Sequence, residues 1–372
     1  MLLTDNLFYF ISFFVFIFGL IIGSFLNVVI YRLPEGKSLL FPASSCPECG
    51  TKIKFYDNIP IVSYIILRGK CRACSKRISV IYPAIELLSA ILFYLLFIKL
   101  FYNAFFHFNI TSYNLPLFKD YLTRRLLLFM VYGFFIFVLI PISFIDFFHR
   151  IIPDSLNITL IIAGFLFNIF LLHKGFLFPF VGFIAGGLFF YLIAVFYELV
   201  RKKEGLGGGD IKLIAGIGSF LGIKGVIFTV FAGSVLGLLG FIVSALYLNI
   251  KDRKRTTSER SNNGNLIQND DNYDSGCTGS DNLHSDNADY TNALAHNINT
   301  VNKNNNTANI SSNNNAGSKM SSGKRELNLN NKKDDNFASS KIPFGPFLSM
   351  AAVLYIFYGS YLINIYIYFI RR

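Results

Sequence analysis

Long apolar blocks, almost free of charge, dominate this chain, and they limit its fold more than any other feature. A segment in lipid must satisfy its backbone hydrogen bonds internally, and about 20 apolar residues carry a helix across the hydrocarbon core. Eight blocks are read as spans: 7–30, 81–102, 126–145, 151–172, 176–199, 211–221, 226–250 and 347–370. Charged residues make up 15% of the chain, against about 25% in soluble domains. The sixth block is short. It spans only if packed inside the bundle or extended through the glycines before it. The first block is too long, and too weakly basic at its start, for a cleaved signal. Ser24 and Asn27 interrupt it late, and it is read as a retained helix. The expected fold is an all-α polytopic membrane protein of about eight transmembrane helices.

Lys and Arg set the orientation, because basic loops stay in the cytoplasm. The loop 31–80 carries nine: Arg32, Lys37, Lys52, Lys54, Arg68, Lys70, Arg72, Lys76 and Arg77. Loop 103–125 carries three. Arg201, Lys202 and Lys203 follow the fifth span, and Lys251, Arg253, Lys254 and Arg255 follow the seventh. Loops 173–175 and 222–225 carry one each. With eight spans the strongly basic loops share the cytoplasmic side and both termini lie outside, with Arg371 and Arg372 as a minor exception. The net charge of +12 then reflects topology, and no nucleic-acid partner is expected.

The domain reading is a first helix over 1–30, a cytoplasmic loop over 31–80, a membrane core over 81–250, an insertion over 251–341 and a last helix over 342–372. Within the insertion, about 256–340 is rich in Asn, Ser and Asp. It has too little apolar surface to offset its ordering entropy, so it is expected to be disordered. Cys277 and His284 lie there and are read as bystanders. Glycines four apart recur in the spans, at Gly19/Gly23, Gly182/Gly186, Gly218/Gly222 and Gly233/Gly237. Small residues at that spacing let helix backbones approach closely.

The loop 31–80 holds Cys46-x-x-Cys49 and Cys71-x-x-Cys74, with 21 residues between the pairs. Two such knuckles are the ligand spacing of a tetrahedral Cys₄ zinc site. The reducing side of the membrane disfavours disulfides. Four thiolates leave no open coordination position, so the metal is expected to be a folding staple. A redox C-x-x-C is the minor alternative.

Carboxylates at membrane depth are costly and are functional candidates by default. Asp146 ends the third span in "PISFIDFFHRIIPD", and Asp210 opens the sixth in "GLGGGDIK". They lie 64 residues apart but at one depth on the cytoplasmic side. Two such carboxylates can share a proton and activate water, one as base and one polarising the scissile carbonyl. Three structural or transport readings compete with this one. Asp146 can cap a helix end, Asp210 can cap the sixth span, and both can serve a proton-coupled transporter. Asp154, after Pro153, is the better cap for the fourth span. Gly207, Gly208 and Gly209 are read as a hinge that lets a peptide backbone approach Asp210. The run fails as a dinucleotide fingerprint.

Together these stretches resemble the type IV prepilin peptidases, leader peptidases that also N-methylate the cleaved pilin. The match runs through "GSFLNVVIYRLP" (23–34), "CPECG", "NIPIVSYIILRGKCRAC" (58–74), "YPAIELLSA" (82–90), "IDFFHRIIPD" (145–154), "GGGDIKLIAGIGSFLG" (207–222) and "PFGPFLSMAA" (343–352). The resemblance implies an intramembrane aspartic protease of the G-x-G-D type, with Asp146 and Asp210 as the catalytic pair. It also implies S-adenosylmethionine as methyl donor, at residues the sequence does not reveal. The loop of four cysteines, Cys46, Cys49, Cys71 and Cys74, goes with the bifunctional form. The implied substrates are prepilin or pseudopilin precursors, cut before their hydrophobic helix at the cytoplasmic face of the bacterial inner membrane. A peptidase without methyltransferase is the alternative. The Asn-rich insertion before "PFGPFL" departs from the family, which joins these spans by a short loop.

Overall fold

A computed structural model describes residues 2–106, 115–202, 207–266 and 343–370. The chain divides into a unit of residues 1–247 with 341–372 and a unit of residues 248–340. In the first unit, α1 (Leu2–Arg32) is followed by a loop carrying a 3₁₀ turn (Phe55–Asn58) and the short α2 (Val62–Ile66). Then come α3 (Ile81–Phe106), α4 (Leu115–His149), α5 (Asp154–Leu166) with a π turn (Phe167–Leu171), α6 (Leu177–Arg201), α7 (Gly208–Leu266), whose residues from 248 on are counted in the second unit, and α8 (Gly345–Ile370). Six of these helices are long and apolar enough to cross a membrane, and Gly345–Gly359 of α8 is a shorter apolar helix. In the second unit the described residues are helical as far as Leu266, inside the stretch whose composition reads as disordered. Residues 267–342, with Cys277 and His284, lie outside the described residues.

α4 is the central helix. Its Phe135, Ile136, Leu139, Ile142 and Ile145 are fully buried, and it packs on α1, α3, α5 and α8. α1 and α3 run antiparallel through the first glycine pair. A Cβ on Gly19 would stand 2.6 Å from Ala90 Cα, and one on Gly23 would stand 2.5 Å from Glu86 Cα. The backbones therefore touch where the spacing of small residues says they should.

The sixth and seventh blocks are the two arms of α7. Gly222 breaks the helix with φ 71° and ψ −177°, a conformation that only glycine adopts at low cost. A Cβ on Gly218 would lie 2.9 Å from Val226 Cγ2, yet an unbroken helix would carry these residues about 12 Å apart. The chain thus folds back at Gly222. The break deprives nearby carbonyls of their helical donors. Asn168 on the π turn supplies one: its Nδ2 donates to Ser219 O at 2.9 Å and Phe220 O at 3.2 Å. The first arm packs antiparallel on α6, Gly182 against Gly218 and Gly222, Gly186 against Ile214. The second arm packs on α8, Gly233 against Leu348 and Gly240 against Phe347.

These pairings sort the helix ends. Gly133, thirteen residues before Asp146, meets Phe93, twelve residues after Ile81. One end of the bundle therefore collects the C-terminal ends of α1 and α4, the N-terminal ends of α3, α5, α7 and α8, and the cysteine loop.

Candidate active site and cysteine cluster

Asp146 sits in the last turn of α4 and is 6% exposed. A carboxylate there opposes the dipole of its own helix, which favours cations at a C-terminus, so Asp146 does not cap α4. Its partner comes from the far end of the sequence: Gly345 N, at the start of α8, donates to Asp146 Oδ2 at 2.9 Å. A Cβ on Gly345 would stand 2.6 Å from that oxygen and 3.3 Å from Ile152 Cδ1. Only glycine lets α8 begin this close to the acid.

Asp210 lies in the first turn of α7 and is half-buried. Its Oδ1 is shielded from solvent and has no hydrogen-bond partner among the described residues, so that oxygen caps no described backbone N–H. Burying an unpaired polar oxygen is costly, and such a group calls for a purpose other than stability.

Ile152, in the short α4–α5 connection, touches the glycines that adjoin both acids. It packs against Gly209, whose Cβ would fall 3.1 Å from Ile152 Cβ, and against Gly345. The residues adjoining each acid thus share one side chain. Asn157 adds a long contact, its Nδ2 3.5 Å from Gly209 O. Asn157 is fully buried and its own Oδ1 is unpartnered.

The glycine run divides its roles. α7 begins at Gly208, so Gly208 and Gly209 form its first turn and Gly207 precedes it. None of the three has a positive φ, so space and not dihedral freedom is what glycine gives here. A Cβ on Gly209 would press on Ile152, one on Gly207 would stand 3.3 Å from Asp210 Oδ2, and one on Gly208 would meet no described atom within 4 Å.

Asp154 opens α5 as its first residue, after Pro153 at the N-cap, and makes no side-chain cap hydrogen bond. It pairs with Lys212 Nζ at 2.7 Å instead. Both side chains are more than half exposed, and such pairs contribute about 0–1 kcal/mol. Lys212→Ala should therefore leave folding stability within about 1 kcal/mol of wild type, read from thermal unfolding in detergent.

The four cysteines converge as their spacing requires. The Sγ atoms of Cys46, Cys49, Cys71 and Cys74 all lie within 4.8 Å of one another, and Cys46 and Cys74 are 3.9 Å apart. Four ligands at about 2.3 Å from a tetrahedral ion would be spaced by about 3.8 Å, so the set fits a metal after a small contraction. Each pair sits on a knuckle of the same construction. Cys46 N donates to Thr51 O and Gly50 N to Cys46 O; Cys71 N donates to Lys76 O and Ser75 N to Cys71 O. Gly50 and Ser75 take the positive φ that closes each turn. Arg72 clamps the second knuckle to the 3₁₀ turn, its Nε and Nη2 donating to the Asp57 carboxylate at 2.6–3.1 Å. That guanidinium holds the Asp57 carboxyl below its ordinary range.

The sulfurs are primed unequally. The Thr51 hydroxyl, then its backbone N–H, lowers Cys49 to about 6. Backbone N–H groups of Cys74 and Ala73 lower Cys71. Cys74 is pulled down by the backbone of Lys76, but desolvation and the neighbouring sulfurs push it up to about 11. Without a cation, four sulfurs this close cannot all be thiolates; a divalent metal removes the conflict.

Sequence reading reached both acids, the glycine run and all four cysteines. It missed Gly345, Ile152 and Asn157 as supports. Gly345 lies inside the quoted "PFGPFL" stretch, and Ile152 lies in "IDFFHRIIPD", but neither has chemistry that marks it in one dimension.

Two family descriptions match the chain. "Bacterial Peptidase A24 N-terminal domain" matches residues 17–100, which include the four cysteines. "Type IV leader peptidase family" matches residues 133–242, which include both acids. Among curated proteins, the prepilin leader peptidase/N-methyltransferase of Neisseria gonorrhoeae is 35% identical over 255 residues, covering 61% of this chain and 80% of that one. The protein of the same name from Klebsiella pneumoniae is 35% identical over 215 residues, covering 56% and 84%. That from Aeromonas hydrophila is 33% identical over 250 residues, covering 60% and 77%. No solved structure matches. With this breadth of identity to relatives matched over most of their length, the chain belongs to the type IV leader peptidase family.

Proposed function

We propose that this protein is a membrane-embedded aspartic endopeptidase. It removes the leader of type IV prepilin or pseudopilin precursors and N-methylates the new N-terminus. One observation carries the reading. Two acids far apart in sequence, Asp146 and Asp210, lie at one end of a helical bundle, the first accepting from Gly345 N and the second with a buried oxygen unpaired among the described residues.

The chemistry needs no further side chain. One carboxylate takes a proton from a water held between the two acids. The other, protonated, donates to the scissile carbonyl oxygen as the water oxygen attacks carbon. As that adduct collapses, one of its hydroxyls returns a proton to the second carboxylate, the C–N bond breaks, and the proton taken from water passes to the leaving amine. The substrate's own hydrophobic helix can lie against the bundle, so orientation comes from lateral packing. Gly208, where an added Cβ would meet no described atom within 4 Å, leaves room for a peptide backbone beside Asp210.

The site belongs on the cytoplasmic side of the bacterial inner membrane. Asp146 and Asp210 share their end of the bundle with the loop that carries nine Lys and Arg, and basic loops are retained inside. The four cysteines hold a zinc ion that staples this loop. The methyl donor implied by the relatives' names is S-adenosylmethionine. The described residues mark no site for it, and no step is assigned to it.

Two measurements test this reading. Mass spectrometry of the mature pilin should show a cleaved and methylated N-terminus; an unmethylated one would remove the second activity and leave a peptidase alone. Metal analysis of purified protein should find about one zinc per chain. Cys71→Ser with Cys74→Ser should abolish it and make residues 38–80 sensitive to protease while the helices stay intact. Unchanged metal content in that variant would sink the zinc assignment.

A further inference from the structure

The cysteine loop carries large apolar side chains that nothing among the described residues covers. Leu40 and Phe41 are 76% and 77% exposed, and Ile65 and Ile66 of α2 are 67% and 68% exposed. In a water-facing loop such pairs would be a liability. Two tethers explain them by fixing their depth. Arg32, in the last turn of α1, donates from Nη1 to Ser38 O at 3.0 Å and from Nη2 to Pro42 O at 2.7 Å. That clamps Leu40 and Phe41 to the membrane end of a spanning helix. Glu86 lies one turn inside the span Ile81–Asn103, and its Oε2 accepts from Ile61 N at 2.8 Å. Ile61 leads directly into α2 and takes a φ of 60° to present that N–H. α2 is thus held level with the second turn of a transmembrane helix and cannot stand off in the cytoplasm.

We infer that α2 and the 38–42 turn form an interfacial anchor. Leu40, Phe41, Ile65 and Ile66 dip into the headgroup–acyl boundary of the leaflet that holds the ends of α1 and α3. The basic residues around them contact anionic phospholipid. The charge supports this occupant: the loop has nine Lys and Arg against Glu35, Glu48 and Asp57. Basic juxtamembrane segments are attracted to anionic lipid, and an apolar edge flanked by Arg68 and Lys70 is the composition of an interfacial helix. A basic leader peptide would be repelled by the same surface. The anchor rests on the membrane-embedded reading above. It assigns the loop a lipid-binding surface and sets the zinc cluster at a fixed height over the bilayer.

The chain contains no tryptophan, so a single introduced indole reports its own surroundings. Ile66→Trp and Phe41→Trp, each in nanodiscs of phosphatidylglycerol, should emit at shorter wavelength than Glu48→Trp on the first cysteine knuckle. Brominated acyl chains should quench both at least twofold and leave Glu48→Trp unquenched. Replacing phosphatidylglycerol by phosphatidylcholine should weaken the quenching. Emission at Ile66→Trp and Phe41→Trp that matches Glu48→Trp, or that responds only when a prepilin peptide is added, overturns the anchor. Prepilin cleavage by the same samples keeps the outcome separate from the peptidase reading: active protein with unquenched indoles refutes the anchor alone.

Discussion

Asp146→Asn and Asp210→Asn should each lower prepilin cleavage by about 10⁴-fold, the scale on which single members of a concerted catalytic set are lost. The double variant should be no worse than either single one. Asparagine keeps the volume of aspartate, and its amide oxygen can still accept from Gly345 N, whose bond to Asp146 Oδ2 anchors α8. The fold is therefore expected to survive. What is lost is the ability to pass a proton. In cells the precursor should accumulate while the abundance of the membrane protein stays near wild type, read on one immunoblot for both. Additive losses in the double variant would mean that the two acids act separately.

Gly182→Leu should remove folded protein altogether. The site is a backbone contact: a Cβ on Gly182 would collide with the Gly218 carbonyl and stand 2.8 Å from Gly222 Cα, and a Cβ on Gly218 would in turn meet Gly182. No rotamer relieves a clash with backbone, so α6 and the first arm of α7 must part. A side chain driven into backbone exceeds the usual ~1–3 kcal/mol of overpacking, because neither helix can yield by a rotamer, and the cost approaches the ~5–15 kcal/mol that holds a typical protein folded. It would also displace the arm that carries Asp210. A fluorescent fusion followed by size-exclusion in detergent should lose its monodisperse peak. Gly208→Ala, with no atom within 4 Å of the added Cβ, should keep that peak.

The contrast between these glycines shows what a sequence can and cannot disclose. Repeats such as Gly182/Gly186 and Gly218/Gly222 announce close helix packing, and the helices do meet there. The spacing does not say which helix meets which, nor that Gly222 is also the hairpin between two spans. The short sixth block, 211–221, looked too brief to span; it is the first arm of a helix that folds back on itself.

The acids tell a similar story. Their depth was legible because charge in lipid is rare, and depth alone made them neighbours in principle. Their actual supports were not legible. Gly345 is 199 residues from Asp146, beyond any local pattern, and Ile152 is an ordinary apolar residue whose value lies in touching two glycines. The cysteines were the most legible feature, because a tetrahedral metal fixes both residue type and spacing. The exposed apolar pairs of the loop were the least legible, because an exposed isoleucine differs from a buried one only in three dimensions.

The central claim is that Asp146 and Asp210 form one hydrolytic site. The most direct test is cleavage of a prepilin peptide by purified protein in detergent, beside Asp146→Asn and Asp210→Asn, with peptide binding measured on the same samples. A single two-acid site requires product from the wild-type protein and none from either variant, with all three binding the peptide alike. Cleavage by either variant within tenfold of wild type would contradict it.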